Sequence, residues 1–223
     1  MTGTSTLLHD LARVSIRSVA VSGHDNNVYL LTAKDSGAQV LIDAADDLPA
    51  IRSLLAEGAA DAAGAARLEL VATTHQHWDH VRALPELVAQ TGARTAAGAE
   101  DAPAILAEKG VATDTVLRHG DVLEFDGFSL ACVHLRGHTP GSIAFVYAPP
   151  EGPVHIFSGD SLFPGGVGNT QKDPERFASL YRDVVERLFE QYSDDALVHP
   201  GHGAGTTLGA ERPHLDEWRE RGW

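Results

Sequence analysis

The sequence predicts an α+β fold in which sheets and helices stack as the layers of a sandwich. Three observations carry this reading. Apolar, β-branched runs of strand length fall in both halves of the chain, within 14–44 and again within 122–160. Helix-spaced segments occur in both halves as well, and they do not alternate with strands as a regular βαβ array requires. Several strand-like runs end in polar segments bearing histidine or aspartate, which puts those side chains at strand ends.

Taken in order, VSIRSVAV (14–21), NVYLLTA (27–33) and QVLIDA (39–44) read as successive antiparallel strands joined by the turns SGHDNN and KDSG. LPAIRSLLAE (48–57) has helical spacing, and EGAADAAGAA (57–66) is too short and too apolar to separate domains. LELVATT (68–74) is a short apolar strand running into a polar cluster. HVRALPELVAQ (80–90) reads as a helix despite Pro85, and DAPAILAEKG (101–110) as another. In the second half, VLEF (122–125), a turn at Asp126-Gly127 and FSLACVHL (128–135) form a hairpin. SIAFVYAP (142–149) and VHIFSGD (154–160) follow as strands. The clearest helix spans 173–192, where Phe177, Leu180, Tyr181, Val184, Val185, Leu188 and Phe189 form one apolar stripe. Asp173 can cap it and Pro174 suits its first turn. ALVHP (196–200) is a last short strand before GHG and a polar tail.

Composition narrows the function classes. A chain of 223 residues suits one large core, so a single domain over 1–223 is expected. Asp and Glu number 31 against 17 Lys and Arg, a formal charge of -14 that repels nucleic acid phosphates and anionic lipid. Neither nucleic acid nor membrane is therefore an expected partner, and no apolar run approaches spanning length. The lone Cys132 cannot form an internal disulfide and reads as a core thiol. MTGTSTLLHD lacks a basic leader and a long apolar core, so the expected setting is the cytoplasm.

Twelve histidines are many for this length, and their placement matters. TTHQHWDH concentrates His75, His77, Asp79 and His80 directly after an apolar strand. His75 and His77, two apart, can face one side of a loop, whereas the adjacent Asp79 and His80 diverge, which favours a second ion over one crowded site. His138 in RGHTPGS, Asp160 ending VHIFSGD and His202 in HPGHG also stand at strand ends. Seven imidazoles and carboxylates without thiolate suit zinc, iron or manganese and do not choose among them.

These segments resemble the metallo-β-lactamase fold superfamily of hydrolases, and within it the glyoxalase II (hydroxyacylglutathione hydrolase) type. THQHWDH matches its His-x-His-x-Asp-His signature, and RGHTPGS its Gly-His-Thr-Pro-Gly-Ser segment. FSGDSLF matches its bridging-aspartate segment and HPGHG its last histidine, all in the family's order across residues 27–207. The resemblance implies a four-layer αββα sandwich with the metal site at one edge of the sheets. It further implies two divalent ions, zinc foremost. His75, His77 and His138 would hold the first; Asp79, His80 and His202 the second; Asp160 would bridge them. Two features depart from the glyoxalase II pattern. GGVGNTQKD (165–173) puts Asn169 where an arginine is common, and no glutathione-binding helical region follows before Trp223. A relative acting on another small molecule is the expectation.

The implied reaction is attack of a metal-bridging hydroxide on an ester, thioester or lactone, with Asp79 orienting the water. Two competing classes share the fold or the ligands: a mononuclear-iron persulfide dioxygenase using His75, His138 and Asp160, and a non-catalytic metal-binding protein. Around the site, His199 is a candidate for a supporting hydrogen bond, and Trp78, His24 and Asn169 are candidate pocket residues. His134 reads as structural. His9, His119, His155 and His214 have no grouping in the sequence.

Overall fold

A computed structural model describes residues 5–222. Residues 1–4, which belong to the amino-terminal segment expected to carry no leader, lie outside the described residues, as does Trp223. The first sheet takes its strands in chain order: β1 (Thr6–Asp10), β2 (Val14–Val21), β3 (Asn26–Ala33), β4 (Ala38–Ile42), β5 (Arg67–Ala72), β6 (Arg94–Gly98) and β7 (Thr115–Leu117). β1 to β4 pair antiparallel across short turns. From β4 onward the pairing is parallel, because α1 (Leu48–Ala59), α2 (Leu84–Thr91) and α3 (Ala102–Lys109) each return the chain to the same end.

The second sheet has six strands: β8 (Val122–Phe125), β9 (Phe128–His134), β10 (Ile143–Tyr147), β11 (His155–Gly159), β14 (Leu197–Pro200) and β15 (Thr206–Thr207). Only β11 and β14 pair parallel. The small hairpin of β12 (Leu162–Phe163) and β13 (Gly166–Val167) and the helix α4 (Pro174–Val184) lie between them in the chain. The helices α5 (Leu208–Glu211) and α6 (Leu215–Arg221) follow β15.

Three separate cores show how the layers stack. Along β3, Tyr29, Leu31 and Ala33 face one cluster while Val28 and Leu30 face another, the period-2 alternation of a sheet covered on both sides. The first of these clusters also contains Leu130, Cys132, Ile143, Phe145 and Phe157, so it fills the space between the sheets. The second joins the first sheet to Leu48, Ile51 and Leu54 of α1, Leu84 and Leu87 of α2 and Ile105 of α3. The third joins Val133, Ala144, Val146 and Ile156 to Leu180 and Val184 of α4 and Trp218 of α6. Three interlayer cores define a four-layer αββα sandwich.

Local chemistry explains both agreement and departure. Asp173 caps α4 by accepting from the backbone N–H groups of Glu175 and Arg176 at 2.9 and 3.1 Å. The apolar stripe then continues through a π-helical turn, Val185–Phe189. α2 begins at Leu84 rather than at residue 80, since Pro85 occupies its first turn and residues 78–80 form a separate 3-10 turn that aims the Asp79 and His80 side chains. The Ala- and Gly-rich segment 57–66 is no linker: Asp61 accepts a bidentate pair from Arg17 at 2.7 and 2.8 Å and tacks the segment to β2. No helix among the described residues is long and apolar enough to cross a membrane.

Candidate metal centre

Six strand ends and turns meet at one edge of the sandwich. Asp43 follows β4, residues 73–80 follow β5, His138 lies between β9 and β10, Asp160 follows β11, His202 follows β14, and Asn26 opens β3. All seven residues singled out by the sequence come together here. Within reach of one another are the nitrogens of His75, His77 and His138, with His77 Nδ1 at 3.1 Å from His75 Nε2 and 2.9 Å from His138 Nε2. Beside them is a second trio, in which His80 Nε2 lies 3.1 Å from His202 Nε2 and Asp79 Oδ2 lies 3.4 Å from His202 Nε2. Asp160 stands between the trios, with Oδ2 at 3.6 Å from His138 Nε2 and 3.4 Å from His202 Nε2, and Oδ1 at 3.4 Å from His80 Nε2.

Hydrogen bonds behind the site fix which ring nitrogen faces inward. A carboxylate or carbonyl oxygen can only accept, so the contacting nitrogen must carry the proton. His80 Nδ1–H donates to Asp43 Oδ2 at 2.8 Å, His138 Nδ1–H to the Asn169 carbonyl at 2.9 Å, and His202 Nδ1–H to the His24 carbonyl at 2.8 Å. Thr74 gives its hydroxyl proton to Asp43 Oδ2 at 2.7 Å, leaving Oγ1 to accept from His75 Nδ1–H at 3.0 Å. Each of these four rings therefore turns its Nε2 toward the centre, a lone pair whenever the ring is neutral. Asn26 Nδ2–H donates to Asp79 Oδ2 at 3.0 Å and holds that carboxylate.

The electrostatics divide the two trios. Burial pushes His75 well below its usual range, lowers His77, and brings His138 to about 4, so the first trio is neutral at ordinary pH. Burial also opposes charge on His80, but the Asp43 and Asp160 carboxylates outweigh it and raise that ring to about 10. His202 is raised by its contact with Asp160. Burial would raise Asp160, yet His202 and His80 hold it far below the ordinary carboxylate range.

Whether the donors fit metal can be judged from Asp160 itself. Its Oδ1 is buried with no hydrogen-bond partner among the described residues and only the His80 ring, at 3.4 Å, beside it, an arrangement that a cation held between the donors would complete. The backbone is packed hard around it. A Cβ on Gly201 would sit 2.2 Å from that same Oδ1, and one on Gly168 would sit 1.7 Å from the Asp160 carbonyl oxygen. The donor set is nitrogen- and oxygen-rich, as zinc, iron and manganese accept.

The supporting candidates fare differently. His199 turns away from the centre: its Nε2 meets His155 Nδ1 at 3.1 Å, a correction to its expected role behind the ligands, because it lies on the interior face of β14. His24 contributes its carbonyl rather than its ring, which packs edge-on against Trp78 at 5.7 Å. Trp78 is 46% exposed, with the Arg82 guanidinium 4.4 Å over its ring. Asn169 contributes its carbonyl to His138, and its Oδ1 accepts from the Gln171 N–H at 2.8 Å.

Sequence reasoning missed Asp43 and Asp101. Asp101 is fully buried and accepts from Gln76 N–H at 2.9 Å, Thr139 O–H at 2.6 Å and Gly141 N–H at 2.7 Å. It thereby ties the loop bearing His75 and His77 to the loop bearing His138. The available signal was weak: Asp43 ends VLID as Asp160 ends FSGD, and Asp101 looks like an ordinary helix cap.

A sandwich of this topology with histidine and aspartate clusters at its edge defines a metal-binding class of fold. The chain matches the metallo-β-lactamase superfamily over residues 21–202, and it belongs to that family. A hydroxyacylglutathione hydrolase from Fuscovulum blasticum is 36% identical over 144 residues, 65% of this chain and 51% of the relative. The alignment thus spans about half of that relative's length. Among solved structures, TTHA1623 in a di-iron-bound form is 32% identical with a TM-score of 0.64, covering 87% of this chain and 96% of that one. ETHE1 from Myxococcus xanthus is 25% identical with a TM-score of 0.76, covering 92% and 84%.

Proposed function

We propose that the chain is a hydrolase that uses two divalent metal ions to cleave a small ester, thioester or lactone. In this reading His75, His77 and His138 hold one ion, Asp79, His80 and His202 hold the other, and Asp160 reaches both. The observation that supports it best is the set of ring tautomers. Four histidines are hydrogen-bonded from behind through Nδ1 so that each turns its Nε2, the nitrogen that an ion would displace a proton from or find free, toward the same small volume. Zinc is the first choice; the similarity to a di-iron-bound structure keeps iron in view.

Bound there, such ions supply a water of lowered pKa and a Lewis acid for a carbonyl. The chain's own groups arrange the rest. Asp79, with Oδ2 held by Asn26, orients the attacking water and accepts its proton. A cavity of about 720 Å³ opens beside the first trio, lined by Gln76, His77, His138 and Thr139, and it suits a small molecule. Arg176 braces its wall by donating to the Gly137 and His138 carbonyls at 2.8 and 2.5 Å. The substrate carbonyl enters from this side. The acidic surface makes nucleic acid a poor partner, and the reading places the enzyme in the cytoplasm.

Elemental analysis and turnover of the same preparation test this together. Wild type is expected to hold at least two ions per chain and to hydrolyse at least one of a hydroxyacyl thioester, an aryl ester and a lactone. Asp160→Ala is expected to lose at least one ion and most of the activity. Metal content and turnover near wild type in that variant would falsify the two-ion assignment. One iron per chain, with oxygen uptake on glutathione persulfide, would move the protein to the dioxygenase class.

A further inference from the structure

Three histidines outside this centre are scattered in sequence and adjacent in space. His9 lies on β1, the edge strand of the first sheet, while His155 and His199 lie on β11 and β14 of the second. The His9 ring stands 4.5 Å from that of His155 at 71° and 5.7 Å from that of His199 at 70°. The His155 and His199 rings lie within 5° of parallel, with Nδ1 and Nε2 3.1 Å apart. One candidate donor nitrogen from each ring lies within 4.8 Å of the other two, the same spacing that gathers the trios of the first centre.

We propose that His9, His155 and His199 form a second, separate metal site that takes one late first-row divalent cation, zinc foremost. Four features argue for it. His155 is 0% exposed, and its Nε2 is buried without a hydrogen-bond partner among the described residues, so one imidazole nitrogen in the cluster has no protein group to serve. Burial lowers all three rings, His155 to about 4 and His199 to about 3, which keeps them in the neutral form that binds metal. The trio offers imidazole nitrogen only. That donor set selects zinc, copper or nickel over magnesium and calcium, which need oxygen. A groove of about 500 Å³, lined by His199 with Leu8 and Tyr29, opens on one of the three rings, where a fourth, water ligand could stand.

A tetrahedral ion at about 2.0–2.1 Å from each nitrogen brings the donors to about 3.3 Å apart, so modest ring rotation closes the present spacing. The His155–His199 contact must open in the process, since two lone pairs cannot both point along one N–H···N line and at an ion. The consequence is mechanical. An ion here would link β1, at the edge of one sheet, to two strands of the other.

Zinc alone is the probe. Wild type, His9→Ala and His155→Phe are stripped with chelator, refilled with zinc, dialysed and counted by elemental analysis. Each variant is expected to hold one zinc fewer than wild type, and added zinc should raise the melting temperature of wild type more than that of His9→Ala. Equal zinc content in all three proteins overturns the proposal. If a variant fails to fold, wild-type crystals soaked in zinc and measured at its absorption edge decide. An anomalous peak among the three rings supports the site, and peaks confined to the seven-residue centre overturn it.

Discussion

Asp43 does three things with two oxygens. It accepts from the Thr74 N–H and hydroxyl and from His80 Nδ1–H, all between 2.7 and 2.8 Å, and it sits in the left-handed region at φ 60°. Through Thr74 it sets the His75 tautomer as well, so one buried carboxylate steers a ring of each trio. Asp43→Asn keeps the shape but replaces one acceptor oxygen with a donor. Metal affinity is expected to fall about 10–100-fold, the usual effect of losing such a partner. Competition against a chromophoric chelator measures it, and an affinity within about twofold of wild type would show that Asp43 does not orient the ligands. The sequence shows the seven donors because they cluster or end strands. It does not show Asp43, whose partner His80 lies 37 residues further on.

At the scale of elements, contact between layers decides details that local propensity leaves open. Gly58 of α1 lies against β3 so closely that a Cβ would meet Leu30 Cδ2 at 2.5 Å and Thr32 Oγ1 at 2.9 Å, and Leu30 is fully buried. Gly58→Ala gains about 1 kcal/mol of helix propensity but overpacks the core by about 1–3 kcal/mol. A net loss of about 1 kcal/mol is expected, seen as a lower urea midpoint at unchanged m. A higher midpoint would mean that α1 can move away from the sheet. The same crowding explains β6, RTAAG, which the sequence did not suggest as a strand. A Cβ on Gly98 would sit 1.9 Å from the Gly141 carbonyl oxygen, so small residues stand where β-branched ones usually mark a strand.

At the scale of the whole molecule, the histidines set a pH optimum for the metal-free fold. His80, raised to about 10, binds protons more tightly folded than unfolded. Its contribution is full below about 6.5 and is lost as pH rises through 10. His155 and His199, lowered to about 4 and 3, behave oppositely, as do His138, lowered to about 4, and His75: their contribution is full above about 6.5 and fades as pH falls below it. Metal-free stability should therefore peak near pH 6.5, and His155 should cost on the order of 2 kcal/mol between pH 7 and pH 5. Urea unfolding in chelator across pH 5–9 measures this, and His155→Phe should make the acid limb shallower by that amount. An acid limb unchanged in that variant would place its cause elsewhere.

The sequence alone determined the strand runs, the clearest helix and the seven donors, because each is a local statement. Period-2 and helical patterns record which face is buried, and ligand types at strand ends record where chains converge. The early helix start at residue 80 failed locally too, since Pro85 set the boundary and its rule outweighed the apolar pattern. Only the tertiary structure decided partnership. Which ring nitrogen each histidine turns inward, and that His9, His155 and His199 meet at all, depend on how two sheets from distant segments are laid face to face. That distance in chain and closeness in space is set by burying three cores at once, a sum over the whole molecule that no window of sequence contains.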